Sequence, residues 1–418
     1  MRTKATMQER AIDLLRRRDF RRLYTAVAIS ELGDAFHYIA LMWIALVQGG
    51  PLGVAAVRLA DSIPAIVFGF HGGIVADRWN RKRTMVSADL IRGIILVPVA
   101  LAAIEDRLPL WGLIVAAFVV ETATSYFVPA YGAIVPALVD RSNVQEANSL
   151  LSATANALSV GGWAATAALL AIMPIGTFFA LNSLSFFLSA IFIATVRYEG
   201  AGAPSSGEPK HLGEAFSALR PLPVLTASVI VLAGAQTISA GTWIAGVPET
   251  VRTVLHGGPG GYSMVMVGWA VGAIGVGAIL ARYPIERKAR ASILIWILYL
   301  PAFGLFALGH SFALAIPGTI IAGFAGTGAM ILLSSAAQEQ VSDNVLGRVM
   351  GLIALVGRGA HATGLLFVSP LFAIFAPNAL FGAAALAIPA IALLGVWRAA
   401  AAEKRRWIAS GAGNLASK

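Results

Sequence analysis

The residues of this sequence that could do chemistry are ionisable side chains set inside long apolar runs. Glu31, Asp34 and His37 recur at steps of three, which lines them along one face of a helix. Arg58 and Asp61 form an i, i+3 pair, as do Asp89 and Arg92, while Glu121, Arg358 and His361 interrupt further apolar stretches. A charge at the centre of a bilayer costs roughly 2.5–3.5 kcal/mol on insertion scales, so each of these needs a partner, a water-filled cavity or a function. The pairs Arg58/Asp61 and Asp89/Arg92 can neutralise themselves within one helix, which points to a structural role. Glu31, Asp34 and Glu121 have no cation three or four residues away and must look to other helices. Carboxyl groups meeting in a partly dehydrated cavity can load and release protons near neutral pH, the chemistry that couples transport to a proton gradient. For Asp34 the competing reading is a structural contact to Arg358 or Arg58 across helices.

His37 and His361 could titrate or bind a metal, but neither falls in a recognised ligand spacing, and a hydrogen-bonded helix contact is the plainer reading. No metal site and no cofactor are expected, and with no cysteine in the chain there is no thiolate or disulfide chemistry. Divalent cations remain an alternative substrate class. Gln236, Trp243, Tyr126, Phe127 and Tyr131, with Arg358, His361 and His37, are candidates for touching a substrate by hydrogen bonding or by stacking on a cation. Aromatic residues in such helices serve equally as packing or interface anchors.

The elements that must position these side chains follow from composition. Over 418 residues, 58% are hydrophobic and 12% charged, too little polar surface for a soluble fold of this size. The reading is an all-α polytopic membrane protein with twelve transmembrane helices near 23–47, 52–76, 84–104, 109–136, 144–173, 175–196, 222–247, 260–281, 290–309, 311–336, 346–373 and 379–400. The longest hydrophilic interruption divides it into an amphipathic segment 1–22, a six-helix half 23–196, a linker 197–221, a second half 222–400 and a tail 401–418. Arg10, Arg16, Arg17, Arg18, Arg21 and Arg22 precede an apolar run too long, and too acidic at Glu31 and Asp34, for a cleaved signal. Interleaved with Ile12, Leu14, Leu15 and Phe20, they suggest a short helix lying on anionic headgroups. With the amino terminus inside, 26 of the 31 Lys and Arg fall on cytoplasmic segments. This positive-inside asymmetry accounts for the net charge of +10 without nucleic acid and puts both termini in the cytoplasm.

An internal repeat supports two halves. Gly277 to Arg282 occupies the place that Gly73 to Arg78 holds in the first half, and Asn344-Val345 matches Asn143-Val144 at nearly the same offset. Ala281 replaces the acid at Asp77, so the second copy lacks its charge. Gly268 and Gly272 form a small-xxx-small pair on the eighth span.

Gly73, Asp77, Arg78, Arg81, Lys82 and Arg83, between the second and third spans, follow the pattern G-x-x-x-D-R-x-x-R-K, which resembles the loop signature of the major facilitator superfamily of secondary transporters. Ile29 to Asp34, Phe127 to Ala130, Ala147 to Leu151 and Leu346 to Gly351 look like its branch of enterobactin exporters and macrolide efflux proteins. The resemblance implies a cavity lined by spans one, four, seven and ten. It also implies a gate in which Asp77 accepts hydrogen bonds from the start of the eleventh helix while Arg78 and Arg81 hold the inner ends together. Helix amino termini favour such a carboxylate on physical grounds. Two departures stand out: span five, at Gly161 to Thr166, lacks the export-associated proline, and span four carries Glu121 where many drug/proton antiporters carry an arginine. Any coupling must therefore use a different charge arrangement.

The implied function is a proton-coupled exporter of amphiphilic drugs or a secreted metabolite, monomeric, in the cell membrane, with a small-molecule substrate and protons or another ion as partners. A dedicated siderophore or metabolite exporter and a non-transporting receptor on the same fold are the alternatives. The sequence has no H-E-x-x-H, G-x-S-x-G or Walker A motif, and no enzyme activity is expected.

Overall fold

The structure, a computed structural model, describes residues 13–140, 143–198, 212–283 and 285–409. All regular structure among them is helical. Helix α1 (Arg18–Arg78) spans 61 residues. At about 1.5 Å per residue a straight helix of that length would be roughly three times the thickness of a hydrocarbon core. It is two helices joined at Gly50, whose φ of 58° and ψ of −155° break the helical path, with Pro51 opening the second arm. Gly53 permits the return: a Cβ there would lie 2.4 Å from the carbonyl oxygen of Ala45. The break falls inside the gap between the first two expected spans, 23–47 and 52–76.

Helices α2 (Arg81–Ile104), α3 (Leu110–Leu138), α4 (Val144–Leu169) and α5 (Thr177–Ala194) follow, then the short α6 (Leu212–Leu219). Helix α7 (Pro223–Gly241) passes through a single π turn, Thr242–Gly246, into α8 (Val247–Thr253). After α9 (Pro259–Arg282), α10 (Lys288–Leu294) continues through a 3-10 turn into α11 (Tyr299–Leu308). Helices α12 (Phe312–Gln340), α13 (Asp343–Phe367) and α14 (Pro377–Ala409) complete the chain, the last running past residue 400 into the expected tail.

Ten helices among the described residues are long and apolar enough to cross a membrane. One of these is the kinked α1, and α4, with 26 residues, is not among the ten. Gln145, Glu146, Asn148, Ser149, Ser152 and Asn156 dilute its apolar content. Large apolar side chains face outward from these helices, Ile94, Leu101, Ile191 and Leu386 among them, as in a multi-pass membrane protein.

The chain divides into two compact units, residues 1–206 with 259–263, and residues 207–258 with 264–418. In the first, Phe20, Leu23, Met85, Ile134, Ala147 and Ile193 form a closed core. Leu14 and Phe20 belong to it, at 1% and 0% exposure, so this part of the arginine-rich segment is packed into protein rather than laid on headgroups. Arg17 pairs with Asp140, and Arg22 reaches Asp19 at 3.1 Å and the Thr195 carbonyl at 2.5 Å, which pins the segment to the ends of α3 and α5. In the second unit the core is aromatic. Phe381 meets Phe303, Phe306 and Phe372 with ring centroids 5.1, 4.7 and 5.9 Å away. Gly268 and Gly272 both face α12, where added Cβ atoms would meet Thr319 Oγ1 at 2.3 Å and the Ile320 carbonyl oxygen at 1.9 Å.

The sequence repeat has a structural counterpart. Helix α1 ends at Arg78 and α9 at Arg282, and in both the next residue donates its backbone N–H four residues back, Trp79 to Val75 and Tyr283 to Ile279, each at 2.8 Å.

Candidate functional site

The membrane-embedded charges of the first unit are built by four helical segments. The first arm of α1 supplies Glu31 and Asp34, the second arm Arg58 and Asp61, α2 supplies Asp89 and Arg92, and α3 supplies Glu121. Five carboxyl groups face two guanidiniums, so pairing within the set leaves acids in surplus.

Asp34 accepts a hydrogen bond from Asn182 Nδ2 at 3.1 Å. Asn182 is fully buried on α5, and its side-chain and backbone carbonyl oxygens accept from Ser185 Oγ at 3.0 and 2.8 Å. Gly33 makes room for this docking, since a Cβ there would stand 2.1 Å from Ser185 Oγ and 2.5 Å from Asn182 Oδ1. The partner of Asp34 is therefore a neutral amide from the sixth expected span, where an arginine contact was the structural alternative. A helix of almost unbroken apolar and hydroxyl residues gave Asn182 no prominence; as the only amide inside it, Asn182 was the available signal.

The two i, i+3 pairs have different surroundings. Arg92 and Asp89 are ion-paired with side chains 5% and 0% exposed. The guanidinium is held between the rings of Phe127 on α3 and Phe186 on α5, 4.5 and 4.3 Å from their centroids. Phe127 thus packs on an internal cation and stacks on Tyr131 at 6.1 Å, which accounts for its place among the aromatic candidates by packing. Arg58 and Asp61 are also ion-paired but about one-fifth exposed. The Tyr38 ring lies 5.9 Å from the Arg58 guanidinium, and the Glu121 carboxyl on α3 is close enough to interact electrostatically with both Arg58 and Asp61. The Arg58/Asp61 pair is thus a triad with a third, acidic member. Arg92 is the guanidinium whose field reaches Glu31, Asp34 and Glu121 together.

The remaining candidates are dispersed. The His37 ring meets Phe179 edge-on at 5.2 Å, and its Nδ1 is buried without a hydrogen-bond partner. Tyr131 lies within the field of Glu31. Tyr126 shares a 3.0 Å hydrogen bond with His71, a residue the sequence did not single out. Gln236, Trp243, Arg358 and His361 belong to the second unit. Trp243 sits in the π turn of α7, a local widening that often marks functional segments. Arg358 is exposed on α13. Of the gate residues, Arg81 donates to the Ala133 carbonyl at 2.9 Å and Arg78 is exposed, while Gly73 and the side chain of Asp77 lie outside the described residues. Among the described residues no group of three or more His, Cys, Asp or Glu is placed to hold a metal ion.

A helical, multi-pass chain with a buried ionic network in one unit is the architecture of a secondary transporter, and known proteins agree. The solved nucleoside transporter NupG superposes with a TM-score of 0.68 at 15% identity over 91% of this chain and 98% of that one, a likeness of fold. The sequence pattern of the transmembrane secretion effector family matches residues 11–411, and the chain belongs to that family of major facilitator transporters. Macrolide efflux protein A of Streptococcus pyogenes is 24% identical over 85% of this chain and 89% of its own length. The enterobactin exporter EntS of Shigella dysenteriae is 24% identical over 77% of each. The MFS-type transporter YfiS of Bacillus subtilis is 25% identical over 66% of this chain, which spans 65% of that protein's length. Family and fold are those of transporters of small molecules, with efflux proteins among the relatives, and not those of enzymes.

Proposed function

We propose that the chain is a proton-coupled exporter of amphiphilic compounds, working by alternating access in the cell membrane as a monomer with both termini in the cytoplasm. The observation that carries the reading is the surplus of acids in the first unit, and above all the electrostatic proximity of Glu121 to the Arg58–Asp61 ion pair. Two neighbouring carboxyl groups repel when both are ionised, and a proton held by one of them relieves that repulsion. The neighbouring Arg58 balances one negative charge, and arrival or departure of one proton then switches the triad between neutral and singly charged. Asp34, bound by the neutral Asn182, is the second proton acceptor, and Glu31, half-buried beyond it, is the third. Asp77, Arg78 and Arg81 act as the inner gate.

Efflux as the direction takes support from the relatives named for macrolide efflux and enterobactin export. A second reading, an exporter dedicated to one anionic metabolite, takes support from the exposed guanidinium of Arg358, which suits a carboxylate or catecholate group.

The test is reconstitution in liposomes containing a pH dye, with an imposed pH gradient and a panel of lipophilic cations and siderophore-like anions. Substrate-triggered proton flux that disappears in Asp34→Asn, Asp61→Asn or Glu121→Gln supports the proposal and identifies the acceptor. Substrate movement with no accompanying proton flux overturns it in favour of another ion or a uniporter.

A further inference from the structure

A cavity of about 710 Å³ opens in the first unit apart from the acidic network, where the second arm of α1, the start of α2 and the middle of α3 meet. Its volume is in the usual range for sites that take small organic molecules. One end is cationic. Of the four basic residues around the α1–α2 connection, Arg81 and Lys82 donate to the carbonyls of Ala133 and Val196, at 2.9 and 3.0 Å. Arg78 and Arg83 instead line the cavity, exposed, and neither is ion-paired with a carboxylate among the described residues.

Away from the arginines the lining is mainly apolar, with the hydrogen-bonded His71–Tyr126 pair, 3.0 Å apart, as its polar exception. Val75, Ala88, Ile91 and Ala123 form the floor and wall. Ile91, 49% exposed, continues into the outward-facing Ile94 one turn on. From Arg83 to Ile91 is eight residues of helix, about 12 Å at 1.5 Å per residue. Trp79, 65% exposed at the rim, has the amphipathic ring that favours the headgroup level of a bilayer. A free inorganic anion has no use for the apolar floor, and an uncharged hydrocarbon has none for two guanidiniums. The cavity combines both along one axis.

We infer that this cavity binds an amphiphile with an anionic headgroup, the phosphate or carboxylate held by Arg78 and Arg83 and the chain laid along Val75, Ala88 and Ile91. Ser87, exposed beside the arginines, offers a further hydroxyl donor. Such a molecule comes either from the bilayer, as an anionic phospholipid, or from the cargo, as an anionic amphiphile on its way to export. The inference does not depend on proton coupling, since none of its residues belongs to the acidic network.

The experiment uses the full chain in detergent, with retained lipid counted by native mass spectrometry after mixing with equal phosphatidylglycerol and phosphatidylcholine. The expected result is preferential retention of phosphatidylglycerol, weakened about fivefold by each of Arg78→Gln and Arg83→Gln, the worth of one basic side chain near a charged lipid surface. Arg290→Gln, an exposed charge in the other unit, leaves the preference unchanged. Ser87→Trp, which fills the cavity and keeps both arginines, abolishes it. Absence of any preference, or a preference that survives both the double arginine variant and Ser87→Trp, overturns the inference. Dodecyl phosphate separates the sources: displacement of phosphatidylglycerol with dodecyl phosphate transported into liposomes assigns the cavity to cargo, and displacement without transport assigns it to a resident lipid. Equal displacement by inorganic phosphate reduces the site to a simple anion site and overturns the amphiphile.

Discussion

Arg58/Asp61 and Asp89/Arg92 have the same spacing, the same residue types and the same helical setting, yet they end in opposite environments. The second pair is closed: both side chains are almost fully buried, and two phenyl rings cover the guanidinium. It is a balanced charge pair in a closed site, whose use is to hold α2 against α3 and α5. The first pair is partly open and is joined by Glu121. A third charge and partial exposure convert a self-neutralised pair into a group whose charge can change. Pairing along one helix therefore says nothing about function until the opposite helix is known.

The contrast between the pairs breaks most decisively at Arg92. Arg92→Leu leaves Asp89 buried without its cation, an expected loss of about 3–5 kcal/mol. Thermal unfolding in detergent should show a large drop, and transport should vanish with the fold. Asp89→Leu combined with Arg92→Met should recover most of that stability, because buried ion pairs exchanged for apolar residues are often neutral, and should retain coupled transport with a displaced pH dependence, because the Arg92 charge also acts on Glu31, Asp34 and Glu121. A stable double variant that moves substrate without protons would put Asp89 and Arg92 in the coupling network and end the distinction.

Asp61→Asn and Glu121→Gln test the open pair. Each should abolish substrate-driven proton flux while the unfolding midpoint moves by no more than about 2–4 °C, and the double variant should lose no more than either alone. Additive partial losses would show that the two carboxyl groups work separately.

A smaller effect is expected at the Asp34 support. Asn182→Ala removes a hydrogen bond to a charged group, for about 1.5–3 kcal/mol of stability. It should also alter the pH dependence of transport, which Ser185→Ala, one step further from the carboxylate, should leave nearly intact. A pH profile unchanged in Asn182→Ala would remove Asp34 from the proton path.

The smallest effect is expected outside the membrane, at Arg17–Asp140. Arg17 donates to the Asp140 carboxylate and holds it below the ordinary carboxylate range. Folding therefore favours the ionised form. The contribution is fully present above about pH 4, the unperturbed value, and is lost as pH falls through the depressed one. Both groups are exposed, so Asp140→Asn should lower the unfolding midpoint only slightly at neutral pH, and the difference from the parent chain should fade in acid. A large loss at neutral pH would make this link a fastener of the amino-terminal segment.

Most helices were legible in the sequence because hydropathy is a local property. Expected spans at 84–104, 109–136 and 311–336 correspond to Arg81–Ile104, Leu110–Leu138 and Phe312–Gln340. The reversal between the first two spans was marked by Gly50-Pro51, residues that cannot continue a helix quietly. Helix α4 was legible as a helix, though its polar residues keep it below the hydropathy of the others. The amino-terminal segment misled, because arginines among apolar residues look alike on a headgroup surface and on a protein groove, and only burial of Leu14 and Phe20 separates them.

By itself the sequence determined which residues are charged in the membrane, that the acids outnumber the cations there, and that helices must carry them, since backbone in lipid has to satisfy its own hydrogen bonds. Which charges meet was decided only by tertiary structure. Asn182 reaches Asp34 across 148 positions, Glu121 reaches Asp61 across about 60, and Phe127 and Phe186 close on Arg92 from two other helices. These contacts depend on how far each helix is rotated and how closely it packs, as Gly33 does for α5. Hydropathy is summed along the chain and carries no record of rotation, so the partners of a buried charge are settled by the packing of helices far apart in sequence.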